Sequence, residues 1–340
     1  MLGECRLRRS PTVFNSRLQY ICGIFAVEEN KGNAYMKHTI KDRLNSRIGQ
    51  QNRFVFVFTV PTLILFAWFV LVPTVQGLYY SLFNWSGLSS NMTFIGLENY
   101  KRLISDPIVW LALWNDIKVA VARVAYTLVI SLGLALLLAR TKVFGNTFFR
   151  NVLFFPVVLT AVVICTIWMM MYNSNFGVLN EVLGLIGIEA PKAGWLGDKS
   201  TALMSVVPPA VWCSVGFYLI IFLSAIEGIP GELYESAVLD GANTWRQVIS
   251  LIIPLIRPQI NFCVVYTVIS SFNASYMFID LLTKGGPNNA SQVLGTYMSL
   301  NGFEYHKFGY ATAIAMLILA ATALMSTIMN RIFKSEVYEY

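Results

Sequence analysis

The chain has 340 residues, of which 56% are hydrophobic and 13% charged, and its mean hydropathy is +0.59. Such an apolar composition leaves too few polar side chains to cover the surface of a water-soluble globular protein. It therefore excludes that class and predicts an integral membrane protein. The net charge of +7 requires no nucleic-acid partner, because ten of the 25 basic residues precede the first apolar segment, where anionic lipid attracts them. We therefore expect a lipid bilayer as a partner and no nucleic acid.

Residues 1–53 are predicted to form a cytoplasmic N-terminal tail. The stretch LQYICGIFAV at 18–27 is apolar, but it has only half of the roughly 20 residues that a transmembrane helix needs. No clean cleavage site follows it, so a signal peptide is not expected. Met36 begins a short basic segment that leads into the first span, and we expect the residues before it to be an artefact of the assigned start or disordered.

The sequence contains six apolar runs with few or no charged residues, and each run is long enough to cross a bilayer. Arg123 and the terminal Asp280 are the only charged residues within them. We predict an all-α membrane protein in which a bundle of six transmembrane helices occupies residues 54–332, followed by a short cytoplasmic tail at 333–340. Prolines inside these runs favour kinked helices that pack together. The predicted spans are approximately 54–78, 119–139, 152–172, 202–226, 262–282 and 310–329, and the prolines are Pro61, Pro73, Pro156, Pro208 and Pro209.

The distribution of Lys and Arg predicts the orientation, because basic loops stay on the cytoplasmic side. With the N-terminus inside, the inner segments hold 17 basic residues and the outer loops hold six. Arg140 and Arg150 are among the inner ones. Without the N-terminal tail the counts are 7 and 6, so that tail carries most of the inference. We expect a multi-pass protein of the cytoplasmic membrane with both termini in the cytoplasm.

Between the fourth and fifth spans lies a polar segment that predicts a cytoplasmic helix-turn-helix. The run PGELYESAVLDG predicts a short helix with Pro230 at its first position and Gly241 as its left-handed terminator. Thr244 and Gln247 have the spacing of a capping box for a second helix. On that helix an i, i+3, i+4, i+7 repeat predicts one apolar face, made of Trp245, Val248, Ile249 and Ile252. By these patterns alone, the segment could also be an interfacial hairpin that merely joins two spans.

The same segment carries the pattern E-x-A-x2-D-G-A-x11-P-x3-P. It resembles the cytoplasmic EAA loop of permease subunits of binding-protein-dependent ABC importers. Ser236 stands where that family usually has Ala. Segments at 94–115, 150–180 and 281–316 are similar to carbohydrate permeases of the maltose and glycerol-phosphate type. The pattern is carried by Glu235, Ala237, Asp240, Gly241, Ala242, Pro254 and Pro258.

The resemblance implies the permease subunit of an ATP-driven importer for a sugar or oligosaccharide. It also implies the partners: a second permease, a dimer of ATP-binding subunits and an external sugar-binding protein. No G-x-x-x-x-G-K-[ST] phosphate loop occurs in the sequence, so ATP and Mg²⁺ are expected on the partner subunits and no cofactor in this chain. The residues expected to couple to the ATPase are Glu235, Ser236, Ala237, Asp240, Gly241, Ala242 and Pro254.

No enzymatic site is predicted. His38 and His306 are the only histidines and lie on opposite sides of the predicted membrane, so neither a metal cluster nor a catalytic triad can be assembled. The alternative function is an ion-coupled secondary transporter. Such a protein usually has ionisable residues at mid-membrane, whereas Arg123 and Asp280 both lie towards the outer side.

Polar and aromatic residues within the spans are the candidates for substrate contact, because sugars need hydrogen-bonding groups and flat aromatic faces. Trp212, Ser270 and Asn273 meet this description, although helix-to-helix hydrogen bonds and packing would explain them equally. Arg123 is interpreted as a residue that snorkels to the outer interface and faces Asp116, with a charged substrate gate as the alternative.

Overall fold

The structure is a computed structural model that describes residues 54–88, 91–140, 145–187, 189 and 191–332. The predicted tails at 1–53 and 333–340 lie outside the described residues. The rest is almost entirely helical, which confirms the predicted all-α class. Five helices are long and apolar enough to cross a membrane: α1 (Phe54–Tyr80), α3 (Pro107–Arg140), α7 (Val207–Glu227, preceded by a 3₁₀ turn at Met204–Val206), α11 (Arg257–Leu282) and α13 (Phe308–Ile332).

The third predicted span is not a straight helix. Residues Asn146–Val158 form α4 and Ala161–Met171 form α5, and the two axes differ by 102°. Pro156 lies three residues before α4 gives way to extended backbone at Leu159, and its ring cannot donate a backbone hydrogen bond. The pair makes a sixth span if it crosses as one unit. The described part of the chain therefore has five or six candidate spans.

The second predicted span extends further than its apolar run. Helix α3 has 34 residues and begins at Pro107, twelve residues before the predicted start. Its N-terminal third carries polar and charged side chains, so a search for uncharged runs could not detect it. Pro208 and Pro209 also differ from expectation, because they occupy the first turn of α7, where a missing backbone N–H costs little.

The first part of α1, residues 54–74, presents mostly exposed apolar side chains. Its turns widen to π-helical geometry over Ala67–Leu71, just before Pro73. Proline removes one backbone donor and its ring crowds the preceding turn, and a π-helical stretch accommodates this without ending the helix.

Short elements lie between the long helices. Two strands of two residues, β1 and β2, pair antiparallel through Phe83 opposite Phe94 and Asn84 opposite Thr93. The elements are β1 (Phe83–Asn84), β2 (Thr93–Phe94), α2 (Glu98–Ser105), α6 (Val178–Leu185), α8 (Gly231–Leu239), α9 (Thr244–Gln247), α10 (Ile253–Leu255) and α12 (Leu294–Ser299).

Helix α7 is the centre of the packing among residues 75–332. It packs against α3, α4, α5 and α11 and contributes to two of the buried apolar clusters. A side chain at Gly216 would place its Cβ 2.5 Å from the carbonyl oxygen of Leu153, so the glycine is what permits the close contact between α7 and α4. This packing fixes the C-terminal ends of α3 and α7 and the N-terminal end of α4, which support the candidate site.

Candidate coupling and translocation sites

The segment from Pro230 to Ile256 forms two short helices joined by a tight turn, and we call it the hairpin. Helix α8 begins at Gly231, so Pro230 is its cap and not its first residue as predicted. Gly241 adopts φ +74, which confirms the predicted left-handed turn. The next residue, Ala242, donates its N–H to the carbonyl of Ala237 at 2.9 Å and closes α8.

The second helix of the hairpin is capped by a different residue from the one predicted. Asn243 has extended backbone angles, and its side-chain oxygen accepts the N–H of Arg246 at 2.9 Å. The Gln247 side chain instead donates to the carbonyl oxygen of Ala242 at 2.9 Å. The predicted capping box of Thr244 and Gln247 is therefore wrong, because Asn at the preceding position is a stronger cap.

The predicted apolar face of the second helix is divided. Val248 and Ile252 are buried in a core cluster, whereas Trp245 and Ile249 are exposed, Trp245 by 75%. The backbone is π-helical over Val248–Ile252, which changes the angular spacing on which the prediction relied. Two large apolar side chains are consequently left on the surface of the hairpin.

All seven residues of the predicted coupling set lie on the hairpin or directly after its turn, at positions that a partner can reach. Glu235, Ser236, Asp240, Gly241 and Pro254 are exposed, and Ala237 and Ala242 are partly buried. Beside Glu235 an open groove of about 630 Å³ separates the two helices of the hairpin. It is lined by Arg140, Tyr234, Glu235, Val238, Leu239, Thr244 and Gln247.

One residue that fixes the hairpin was not predicted as a site residue. Arg140, the last residue of α3, lies 5.1 Å from the ring centroid of Tyr234 and also donates to the side-chain oxygen of Gln247. We call these three residues the Arg140 cluster. Burial raises the pKa of the Tyr234 phenol although the guanidinium opposes this, so the phenol stays protonated. Both helices of the hairpin are thereby joined to a transmembrane helix.

The contacts of the Arg140 cluster join residues more than 90 positions apart, which no local spacing rule can detect. The sequence showed only a basic residue at the cytoplasmic end of a span. A second contact of this kind joins α4 to α7, where Arg150 pairs with Glu227. That pair is partly exposed to solvent, so we expect it to contribute little to stability.

The three candidate substrate residues lie in different environments. Trp212 packs edge-to-face on Trp168 with 6.3 Å between ring centroids, and both line an apolar cavity of about 520 Å³. Ser270 is partly buried on α11, and Asn273 is exposed one turn further along. Ser270 and Asn273 therefore lie on one helix, α11, whereas Trp212 lies on α7 and lines the apolar cavity.

Arg123 does not snorkel, and that interpretation is wrong. Its side chain is only 7% exposed, and Nη1 lies 3.4 Å from the hydroxyl oxygens of both Ser270 and Ser271. Asp116 is engaged elsewhere, since it accepts the backbone N–H of Leu294 at 2.9 Å. The close packing of α3 on α11 brings serine hydroxyls to the guanidinium, and no single-helix pattern could show this.

Within the described residues, no group of three His, Cys, Asp or Glu side chains has an arrangement that could hold a metal ion. The described features that remain are a set of helices long and apolar enough to cross a membrane, a polar cluster around Arg123 between two of them, and a hairpin fixed to the end of α3. Such features are typical of a multi-pass membrane transport protein.

Comparison with known proteins identifies the family. Residues 130–336 match the family described as the inner membrane component of binding-protein-dependent transport systems. The chain belongs to this family. It is therefore a multi-pass inner membrane permease of an ABC importer and not itself an enzyme. Membership also decides against the alternative of an ion-coupled secondary transporter.

Individual relatives match this chain along most of their length. The chain is 38% identical to the probable ABC transporter permease YurN of Bacillus subtilis, over 84% of this chain and 98% of the relative. It is 33% identical to the diacetylchitobiose uptake permease NgcF of Streptomyces coelicolor, over 81% of each. It is 30% identical to the multiple sugar-binding transport permease MsmF of Streptococcus mutans, over 87% of this chain and 98% of the relative.

Solved structures show the same fold. The chain superposes on a chain of a bacterial alginate ABC transporter, crystallised with its alginate-bound periplasmic protein, with a TM-score of 0.73. The match covers 85% of this chain and 98% of that chain at 21% identity. This similarity supports the helical arrangement described above.

Proposed function

We propose that this permease and a second permease form the translocation path for a sugar or oligosaccharide delivered by an external binding protein. The named relatives support the substrate class, because NgcF is a diacetylchitobiose permease and MsmF belongs to a multiple sugar-binding system. Aromatic and hydroxyl side chains on the transmembrane helices supply the chemistry that sugars require. ATP and Mg²⁺ bind to separate ATPase subunits.

The hairpin couples this path to ATP hydrolysis. The observation that supports this is a helix that is exposed and yet firmly attached. Helix α8 presents Glu235 to solvent, and Leu239 at its end is 87% exposed. An apolar side chain this exposed next to an acidic one suits a cleft on a partner protein. The Arg140 cluster joins the same helix to α3.

Movement of the docked hairpin would therefore be transmitted directly to the membrane helices. Closure of the ATPase pair shifts the hairpin as a rigid body, and the attached helices follow between inward-open and outward-open arrangements. Glu235 and Asp240 anchor the contact by accepting hydrogen bonds from basic or backbone donors on the ATPase. Gly241 permits the turn that presents them.

The test is ATP hydrolysis by the reconstituted complex, containing both permeases, the ATPase subunits and the loaded binding protein. Glu235→Ala and Gly241→Pro are compared with Glu232→Ala, a matched control on the exposed side of the same helix. We expect about a ten-fold loss of ATPase association or stimulated hydrolysis for the first two, the size of one charge-assisted hydrogen bond. Unchanged values in both, with normal membrane insertion, would show that the hairpin is only a linker.

A further inference from the structure

The guanidinium of Arg123 lies inside the helix bundle, and no acidic side chain among the described residues is paired with it. It is 7% exposed, and the ion pairs found between described residues do not include it. Its Nε atom is buried and has no hydrogen-bond partner among the described residues. The serine hydroxyls of Ser270 and Ser271 contact it, and Tyr218, Tyr266 and Cys213 are near enough to interact with its charge.

A buried cation of this kind is costly. Moving a guanidinium out of water is compensated only when a counter-ion and hydrogen bonds replace its hydration. Two serine contacts at 3.4 Å exceed the usual 2.7–3.2 Å of such bonds, so they satisfy the guanidinium weakly. Neutral hydroxyls cannot cancel its charge. No described carboxylate is paired with the guanidinium, since Asp116, seven residues earlier on the same helix, accepts the backbone N–H of Leu294 instead. A negatively charged ligand would supply the missing counter-charge.

The surroundings of Ser270 indicate what carries that charge. Ser270 is partly buried and lies on α11 between Tyr266, which is 45% exposed, and the exposed Asn273. The Tyr266 ring is stacked on Phe262, with ring planes 14° apart. An exposed aromatic surface beside hydroxyl and amide groups suits a sugar ring, and Ser270 places that surface one side chain away from Arg123.

We propose that the transported substrate is an acidic saccharide whose carboxylate binds Arg123 while its ring lies against Tyr266. One guanidinium matches the single charge of a uronate and can bind it through two parallel hydrogen bonds, whereas a phosphate dianion would require a second cation. This inference rests on the proposed function, because it specifies the substrate of the same path.

The test compares two matched pools of oligosaccharides in the reconstituted importer. One pool contains labelled uronate oligosaccharides released from pectin, alginate and glucuronan, and the other is the same material with every carboxyl group chemically reduced to the alcohol. ATP-dependent uptake of each pool is measured for wild type, Arg123→Gln and Arg123→Lys. Lys118→Gln, which removes an exposed cation from the same helix, is the matched control.

We expect wild type and Lys118→Gln to take up the acidic pool and to discriminate against the reduced pool. Arg123→Gln should lose uptake of the acidic pool by about ten-fold or more, and Arg123→Lys should retain part of it, since it keeps the charge but not the planar fork. Basal ATP hydrolysis and subunit association in each variant show that the protein has folded and assembled.

Three transport outcomes would overturn the proposal. These are absence of acidic-pool uptake, equal or faster uptake of the reduced pool, and an Arg123→Gln variant that transports the acidic pool normally. Loss of the second permease from the Arg123→Gln complex would instead assign the counter-charge to a carboxylate of that subunit, and would also overturn it. In each case the sugar-importer function still stands if ATP drives uptake of the reduced pool.

Discussion

Arg140 shows how one residue can join the hairpin to a membrane helix. Its guanidinium contacts Tyr234 in the first helix of the hairpin and Gln247 in the second. A charge-assisted hydrogen bond and a cation–π contact together contribute ~2 kcal/mol or more to such an attachment. The hairpin has few other side-chain contacts of this strength among the described residues.

We predict that Arg140→Gln loosens the hairpin without unfolding the membrane helices. Proteolysis within the hairpin should become several-fold faster, and substrate-stimulated ATP hydrolysis should fall while basal hydrolysis persists. Arg150→Gln is the matched control, because it removes a basic residue from the neighbouring helix that pairs with Glu227 outside the hairpin. Equal protease sensitivity of the two variants would contradict a special role for Arg140.

The carboxylate of Asp106 is a second residue whose surroundings have a measurable consequence. Burial raises the pKa of this carboxyl group. Hydrogen bonds from the phenols of Tyr297 (2.7 Å) and Tyr310 (2.8 Å) and from the backbone N–H of Ile108 lower it, and so does the charge of Arg102. These contacts outweigh burial, so the net pKa is lowered. Burial, and next the hydrogen bond to the Asp106 carboxylate, raises the pKa of Tyr297 to about 12. This cluster joins α2, α3, α12 and α13.

The lowered pKa of Asp106 predicts a pH dependence of stability. The ionised carboxylate stabilises the folded state at pH values above its unfolded pKa, near 3.8, and this contribution is lost as the pH falls through the lower folded pKa. Thermal unfolding of the detergent-solubilised protein should show wild type more stable than Asp106→Asn at pH 7. The difference should shrink below about pH 4. A difference that stays constant with pH would mean that packing, and not charge, is responsible.

At the scale of helices, the contact between α4 and α7 depends on the absence of one side chain. Gly216→Ala would place a methyl group 2.5 Å from the Leu153 carbonyl oxygen and 2.7 Å from the Cα of Phe154, so the helices must separate. We predict a loss of roughly 1–3 kcal/mol, typical of overpacking, measured as a lower unfolding temperature. Gly133→Ala on α3 is the control, because nothing lies within 4 Å of the added methyl, and it should not destabilise.

The same scale shows what could be predicted from the sequence and what could not. Long apolar runs predicted α1, α7, α11 and α13 to within a few residues, because burial in lipid imposes both length and composition. The start of α3 was missed because its outer part is polar. The 102° bend between α4 and α5 follows Pro156, but a proline predicts a kink and not its angle. The π-helical turn of the hairpin has no signal in the hydrophobic pattern.

The candidate site also has parts that the sequence predicted and parts that it did not. The Gly241 turn was predictable because a left-handed residue after a short helix has a local cause. The position of Arg123 was not, since its partners lie almost 150 residues away on α11. Arg140 was missed for the same reason. Residues that connect two helices are recognised only once the helices are packed together.

At the scale of the whole molecule, the proposals require the hairpin and the loop before α7 to lie on opposite sides of the membrane. The distribution of basic residues predicts this, but most of its weight comes from the N-terminal tail, which lies outside the described residues. A direct test uses Lys199→Cys and Ser250→Cys, both at exposed positions, in a protein whose five native cysteines are replaced.

A membrane-impermeant maleimide applied to the outer face should label Lys199→Cys at once and Ser250→Cys only after the membrane is permeabilised. A doubly substituted protein labelled before and after permeabilisation is the internal control for reagent access. The reverse pattern would put the hairpin outside, where no cytoplasmic ATPase could reach Glu235. The Arg140 cluster would then hold an external loop in place, and energy coupling would have to occur through another part of the chain.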